Sequence, residues 1–270
     1  MSDIPEKIIT LGAVSYLNSR PLIEGLAAEP LVRLIGAVPA DLADLLTTGQ
    51  ADAALIPVVD LARNGGGHAS DSRWERISNA CIGCDGPTMT VRIFSHLPPE
   101  RIEVLHTDTH SHTSVALARL LWWRRYGKRL RVEPVEARNG IDHCPSVLLI
   151  GDKVVSIPTR VFEYDIDLGS AWKEWTGLPF VFAVWATRSS RNQETLAGLL
   201  NQARDRGLTK AAAIASTQGP AHGWPVPLAE EYLTRRMKYI LTPAALEGMK
   251  RFLDLATQDG LLIDHREPVA

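Results

Sequence analysis

Three hydroxyls, one amide and one carboxylate are the groups of this chain whose types and spacing suit chemistry on an anion. Ser111, Thr113 and Ser114 fall at the start of a helix expected over residues 115–126. Unpaired backbone N–H groups and the helix dipole favour negative charge there. The dipole contributes only about 0.3–1 kcal/mol at an exposed site. Charge-assisted hydrogen bonds, at about 1.5–3 kcal/mol each, must therefore carry most of the binding. Asn18 lies in a turn after the first expected strand. Its amide can hold a carboxylate, or an oxygen on which enolate charge develops. Asp152 follows Gly151 at the carboxyl end of a strand, where open parallel sheets place ligand contacts. A bare carboxylate repels an anionic ligand unless N–H donors or a hydroxyl hold it, so Asp152 reads as an orienting group rather than a base.

Two other sets are weaker. His106, Asp108, His110 and His112 alternate, and a strand would put all four on one face. That spacing leaves open a metal-dependent hydrolase using the His-rich turn, although no further ligands of defined position accompany it. Cys81 and Cys84 have knuckle spacing, but Cys144 is distant and no second pair follows. Gly83 and the run Asp85-Gly86-Pro87 forbid the helix that a redox Cys-x-x-Cys must open, so these read as buried or half-buried thiols. Trp122-Trp123 read as helix packing, since no RNA-binding sheet motif accompanies them.

The elements that must position these groups form two series. Strands are expected over 7–14, 31–38 and 51–58, with a helix begun at the turn 15–22 (Asn18 or Ser19 as its cap) and another over 39–48. Short links between alternating strands and helices imply parallel pairing. Strands over 76–80 and 89–95 flank a Gly-rich link, and Gly65-Gly66-Gly67 opens a surface loop rather than a phosphate cradle. A second series follows Pro98-Pro99, with strands over 104–107, 131–137 and 147–150. The stretch 167–185, DLGSAWKEWTGLPFVFAVW, holds a short helix stopped by Pro179, and then an apolar run of the length of a strand buried on both faces. Arriving after both series, that strand implies a return crossing between two lobes. Helices are expected over 194–206, 228–238 and 242–258, the last with Thr242 as cap and Pro243 at its first position. The fold class is α/β, with 1–94 and 185–270 in a discontinuous first lobe, 95–184 in a second, a two-stranded hinge, and a ligand in the cleft.

Composition narrows the partners. Lys plus Arg number 29 against 31 acids, a formal net charge of -2, which argues against nucleic acid or an anionic membrane as main partner. Three cysteines cannot make a disulfide framework, no apolar run is long enough to span a bilayer, and no secretory segment opens the chain. The expected compartment is the cytoplasm, and the expected partner is a small molecule.

The segments GAVSYLNSRPL at 12–22, ADAALIP at 51–57, TDTHSHTSVALARLL at 107–121, LLIGD at 148–152 and the stretch at 167–185 resemble the chorismate dehydratase family of the futalosine route to menaquinone. The resemblance covers nearly the whole chain in the same order. It implies the class II periplasmic-binding-protein fold in a cytoplasmic, cofactor-free enzyme that removes water from chorismate to give 3-[(1-carboxyvinyl)oxy]benzoate. It also implies substrate contacts at Ser15, Tyr16, Asn18, Thr90, Ser111, Thr113, Ser114 and Asp152, with Asn18 as the catalytic group. The family's turn usually reads closer to DTSSRTS, so His110 and His112 stand here for a Ser and an Arg, and Thr90 for a Ser. The competing reading is a non-catalytic binding protein for an aromatic carboxylate, because this fold mostly binds solutes without reacting them.

Overall fold

The structure, a computed structural model, describes residues 8–65, 74–107, 111–135, 140–156, 161–188 and 193–262. The chain opens with β1 (Ile9–Val14), β2 (Val32–Ala37), α1 (Pro39–Thr47), β3 (Ala53–Pro57) and α2 (Val58–Gly65). It continues through β4 (Glu75–Cys84), β5 (Val91–Ser95), β6 (Val104–Thr107), α3 (His112–Tyr126), β7 (Arg131–Pro134), β8 (Ser146–Ile150), α4 (Lys153–Ser156) and β9 (Tyr164–Asp167). Then come α5 (Leu168–Thr176), β10 (Phe180–Thr187), α6 (Gln193–Thr209), α7 (Ala211–Gln218), α8 (Val226–Glu231), β11 (Met237–Ile240) and α9 (Pro243–Gln258). The strands form two sheets, ordered β11-β4-β10-β3-β1-β2 and β7-β6-β8-β5-β9.

The expected parallel pairing holds where the βαβ pattern demanded it: β1 runs parallel to β2 and β3, and β6 to β7 and β8. β10 is the expected buried strand, with every residue from Phe180 to Thr187 buried, and it pairs antiparallel with both β3 and β4. Behind it the indole of Trp172 meets Phe180 and Phe252 edge-on at 5.4 and 6.1 Å. That aromatic cluster explains the concentration of rings at 172–182. α9 packs on the same seam. Gly248 is required there, because a Cβ would lie 2.1 Å from the Pro179 carbonyl oxygen.

Three expectations need correction. β4 runs on through Cys84 instead of ending at residue 80, and Gly83 admits the Phe180 carbonyl, which would stand 2.7 Å from a Cβ. Cys81 and Cys84 are thus strand residues; they and Cys144 are buried and unpaired to one another. Burial pushes the Cys81 thiol up to about 12. The helix expected over 228–238 stops at Glu231, widens into a π turn over Tyr232–Arg236, and becomes β11. Met237 and Tyr239 are buried while Lys238 and Ile240 are exposed, the period-two alternation of a strand completing the sheet edge on β4. Finally, the sheets divide the chain earlier than expected at both crossings. β5 belongs to the second sheet, whereas the expected boundary puts residues 91–94 in the first lobe, and β10 belongs wholly to the first sheet from Phe180.

The two crossings are fastened to each other by Asp167, the cap of α5. Its carboxylate accepts from Ser170 N, Thr88 N and Met89 N at 2.8–3.0 Å, and from the Thr88 hydroxyl at 3.1 Å. Met89 is held at φ 68, a left-handed conformation unusual for a side-chain-bearing residue, immediately before Thr90. The Met89 N–H bond to Asp167 is what stabilises that turn.

Candidate active site

The cleft lies between the two sheets. Val14, Ile82, Phe182 and Met237 form its apolar surface on the first-sheet side, and Val91 and Ile150 on the other. Its polar groups are Tyr16 and Asn18 on the first wall and Thr90, Ser111 and Ser114 on the second. Among the described residues no lining side chain is a carboxylate, imidazole, ammonium or guanidinium. The walls enclose about 520 Å³ of space, partly open to solvent. They stand close together.

Local structure places each group. β1 ends at Val14, and a 3-10 turn over Leu17–Ile23 follows, with Tyr16 rather than Asn18 or Ser19 at its cap position. The Ser19 hydroxyl donates back to Val14 O and Tyr16 O, folding the turn tightly and leaving Asn18 on the cleft side. Asn18 Oδ1 is buried and has no hydrogen-bond partner among the described residues. Across the cleft, Ser111 caps α3 by accepting from Ser114 N at 3.2 Å, and its hydroxyl donates to Ser114 Oγ at 2.8 Å. Hydroxyls therefore stand at a fifteen-residue helix's positive end. The Gly151 N–H donates to Thr90 O at 2.9 Å, which ties the end of β8 to the first crossing. Gly151 has φ +60 and lies under the Tyr16 ring, where a Cβ would come within 2.7 Å of Cδ2.

Not every expected residue reaches the cleft. Ser15 is exposed at the end of β1, its hydroxyl facing Ala37 O at 3.5 Å, because successive extended residues point to opposite faces and Tyr16 takes the cleft side. Thr113 is buried beneath α3, where its oxygen accepts from Val59 N of α2 at 3.4 Å. Asp152 does not line the cleft. It accepts from Leu17 N, from Trp224 Nε1 at 2.9 Å and from His222 Nδ1 at 2.8 Å. Those donors fill the carboxylate, as an orienting group requires.

The His-rich turn does not assemble. His112 turns from the cleft to α2, where Nδ1 lies 2.8 Å from the Asp60 carboxylate. His106 is held by Ser146 O and faces Glu133. Asp108 and His110 lie outside the described residues, and no group of three metal-ligating side chains forms among the described ones. Sequence reasoning missed Tyr232. Its hydroxyl is fully buried and lies 2.7 Å from Thr90 Oγ1.

Two α/β sheets facing each other across a ligand cleft, joined by two crossings, are the architecture of periplasmic-binding-protein-like molecules. Solved structures agree. Protein AF1704 from Archaeoglobus fulgidus superposes with a TM-score of 0.72 at 14% identity, covering 96% of this chain and 99% of that one. The periplasmic aliphatic sulphonate binding protein SsuA from Escherichia coli gives 0.60 at 14% identity, covering 95% and 88%. Within that architecture, the chain belongs to the menaquinone biosynthesis family VitK2_biosynth, which matches residues 9–258. It is 29% identical over 267 residues to the chorismate dehydratase of Thermus thermophilus, an alignment covering 90% of this chain and 93% of that protein. No described helix is long and apolar enough to cross a membrane.

Proposed function

We propose that the protein is a chorismate dehydratase, a cofactor-free cytoplasmic lyase that removes water from chorismate to give 3-[(1-carboxyvinyl)oxy]benzoate in the futalosine route to menaquinone. Membership of the menaquinone family and the Thermus relative support the reaction. The observation that carries the mechanism is the lining of the cleft: neutral hydroxyl and amide groups at a helix N-terminus, with no charged side chain among the described residues. Such a site suits a dianion that supplies its own acid-base group.

In this reading Ser111, Ser114 and the first turn of α3 hold one carboxylate of the substrate. Its side-chain carboxylate, positioned by the cleft, takes the ring proton. Negative charge grows on the ring carboxylate as an enolate, and an N–H of the Asn18 amide stabilises it. The hydroxyl then leaves with the transferred proton as water, so nothing external is consumed. Thr90 and Tyr16 orient the ring. The groups best placed to bind and turn over the substrate are those whose hydrogen-bonding capacity the protein itself has not exhausted.

The test is to incubate chelator-treated protein with chorismate and look by mass for a product lighter by one water. Formation of that product is the expected result. Chorismate bound but unchanged would replace the enzyme with a binding protein. Turnover only after metal is restored would return the hydrolase-like reading.

A further inference from the structure

We propose that the two lobes are latched across the cleft by a strap of the first lobe, residues 222–224, whose imidazole and indole N–H groups grip the carboxylate of Asp152 on the second. The kinetic part of this inference rests on the dehydration reading; the structural part does not.

Asp152 has a local use that it leaves aside. It stands directly before α4, where an aspartate ordinarily accepts from the backbone N–H groups of its own helix. Val155 N and Ser156 N bond its backbone oxygen instead. Among the described residues its carboxylate accepts from Leu17 N at 3.1 Å, from His222 Nδ1 at 2.8 Å and from Trp224 Nε1 at 2.9 Å. All three donors come from the other side of the cleft. Leu17 follows β1, and His222 and Trp224 lie between α7 and α8, in the segment that leads into β11 on the edge of the first sheet.

The donors are fixed from behind. Arg20, in the turn after β1, lies 3.2 Å from His222 Nε2. A guanidinium can only donate, so Nε2 accepts and the imidazole proton sits on Nδ1, toward Asp152. The Trp224 ring stacks on Tyr232 with centroids 4.6 Å apart and planes 12° from parallel. Gly223 between the two donors has φ +80, a turn that side-chain-bearing residues rarely adopt, and both its neighbours reach the one carboxylate. Asp152 and His222 are both mostly buried, so water competes weakly for these bonds.

The latch bears on the site through its neighbours. Leu17 adjoins Asn18, and Gly151 adjoins Asp152 and bonds Thr90 O. One carboxylate therefore sets the register of the Asn18 turn against the Thr90 wall. Lobes without these bonds must be drawn together by the ligand itself, and apparent affinity falls with the fraction of molecules already closed.

His222→Leu combined with Trp224→Phe removes both side-chain donors and keeps a ring on Tyr232. Each lost bond to a charged acceptor shifts the balance toward the open form by about tenfold or more. X-ray scattering of the ligand-free double variant is expected to show a larger radius of gyration than the parent, with a cooperative melt retained. With chorismate, KM is expected to rise about fivefold or more while kcat falls less than about threefold, because saturating substrate closes the cleft. Asn in place of Leu at position 222 returns an N–H donor near where Nδ1 stood, and His222→Asn with Trp224→Phe is expected to recover most of the KM. An unchanged radius, a KM that His222→Asn does not restore, or a loss confined to kcat would overturn the latch. If the double variant does not fold, His222→Leu alone, which leaves the buried indole in place, is decided by the same outcomes. If the parent does not dehydrate chorismate, the proposed reaction fails and the latch is still decided by the scattering.

Discussion

The two walls of the cleft hold their polar groups in different states. On the second wall Ser111 is bonded to Ser114 through both its oxygen and its proton, and Thr90 is tied to Tyr232. On the first, Asn18 keeps a buried oxygen without a partner among the described residues. Leaving a buried acceptor unsatisfied costs about 1–3 kcal/mol, so that atom is retained against the interest of stability. The second wall is built to be stable when empty, and the first is completed by what it binds. Loss of a group from the first wall should spare the fold and damage turnover, whereas loss from the second should damage both modestly.

Asn18→Ala is the sharpest test of that contrast. Removing one oxyanion-type donor costs about 2.7–4 kcal/mol of barrier, a hundred- to thousandfold in kcat. Circular dichroism melts should place its Tm within a few degrees of the parent. A folded variant turning over at the parent rate would remove Asn18 from the mechanism.

Asp152→Asn addresses the support behind both walls. Hydrogen bonds to a charged acceptor contribute about 1.5–3 kcal/mol each, and an amide NH2 turned toward the Trp224 or His222 donor forfeits at least one. Urea unfolding should show a loss on the order of 2 kcal/mol, while the rate keeps its low-pH limb, the fall that protonation of the base produces. A vanished limb would make Asp152 the base and end the substrate-carboxylate mechanism.

Gly151→Ala drives a methyl into the Tyr16 ring at a left-handed backbone position, with a cost of about 1–2 kcal/mol. The walls are pushed apart at that point, so KM should rise more than kcat falls. Kinetics with an unchanged KM would mean that the Tyr16–Gly151 contact does not set the width of the cleft.

Ser111→Ala is the mildest of these. It removes the cap of α3 and one hydroxyl at the anion end, at about 1 kcal/mol of stability. A lowered Tm with a severalfold higher KM is expected. Loss of turnover on the scale of Asn18→Ala would erase the difference between the walls.

Much of the scaffold could be read from local pattern, because the forces involved are local. The apolar run at β10, the Thr242-Pro243 start of α9 and the Gly127 end of α3 each follow from a few neighbouring residues. The site was legible only in part. Asn18, Ser111 and Ser114 announce themselves as polar groups at turns, and they reach the cleft. Ser15 and Thr113 look equivalent to them in sequence and do not. Their direction is set by which face of the chain meets β2 or α2. The segment after residue 231 reads as helix because its apolar spacing suits one, and only pairing with β4 makes it a strand.

What the sequence determined by itself is the order and type of most elements, and the stock of neutral donors from which a site could be made. What only the tertiary structure decided is which of those donors meet. Tyr232 and Thr90 are 142 positions apart, and Leu17 and Asp152 are 135. No periodicity or capping rule spans such distances. The partners are chosen when the two sheets close on each other and each buried polar atom must find a bond in the space that remains.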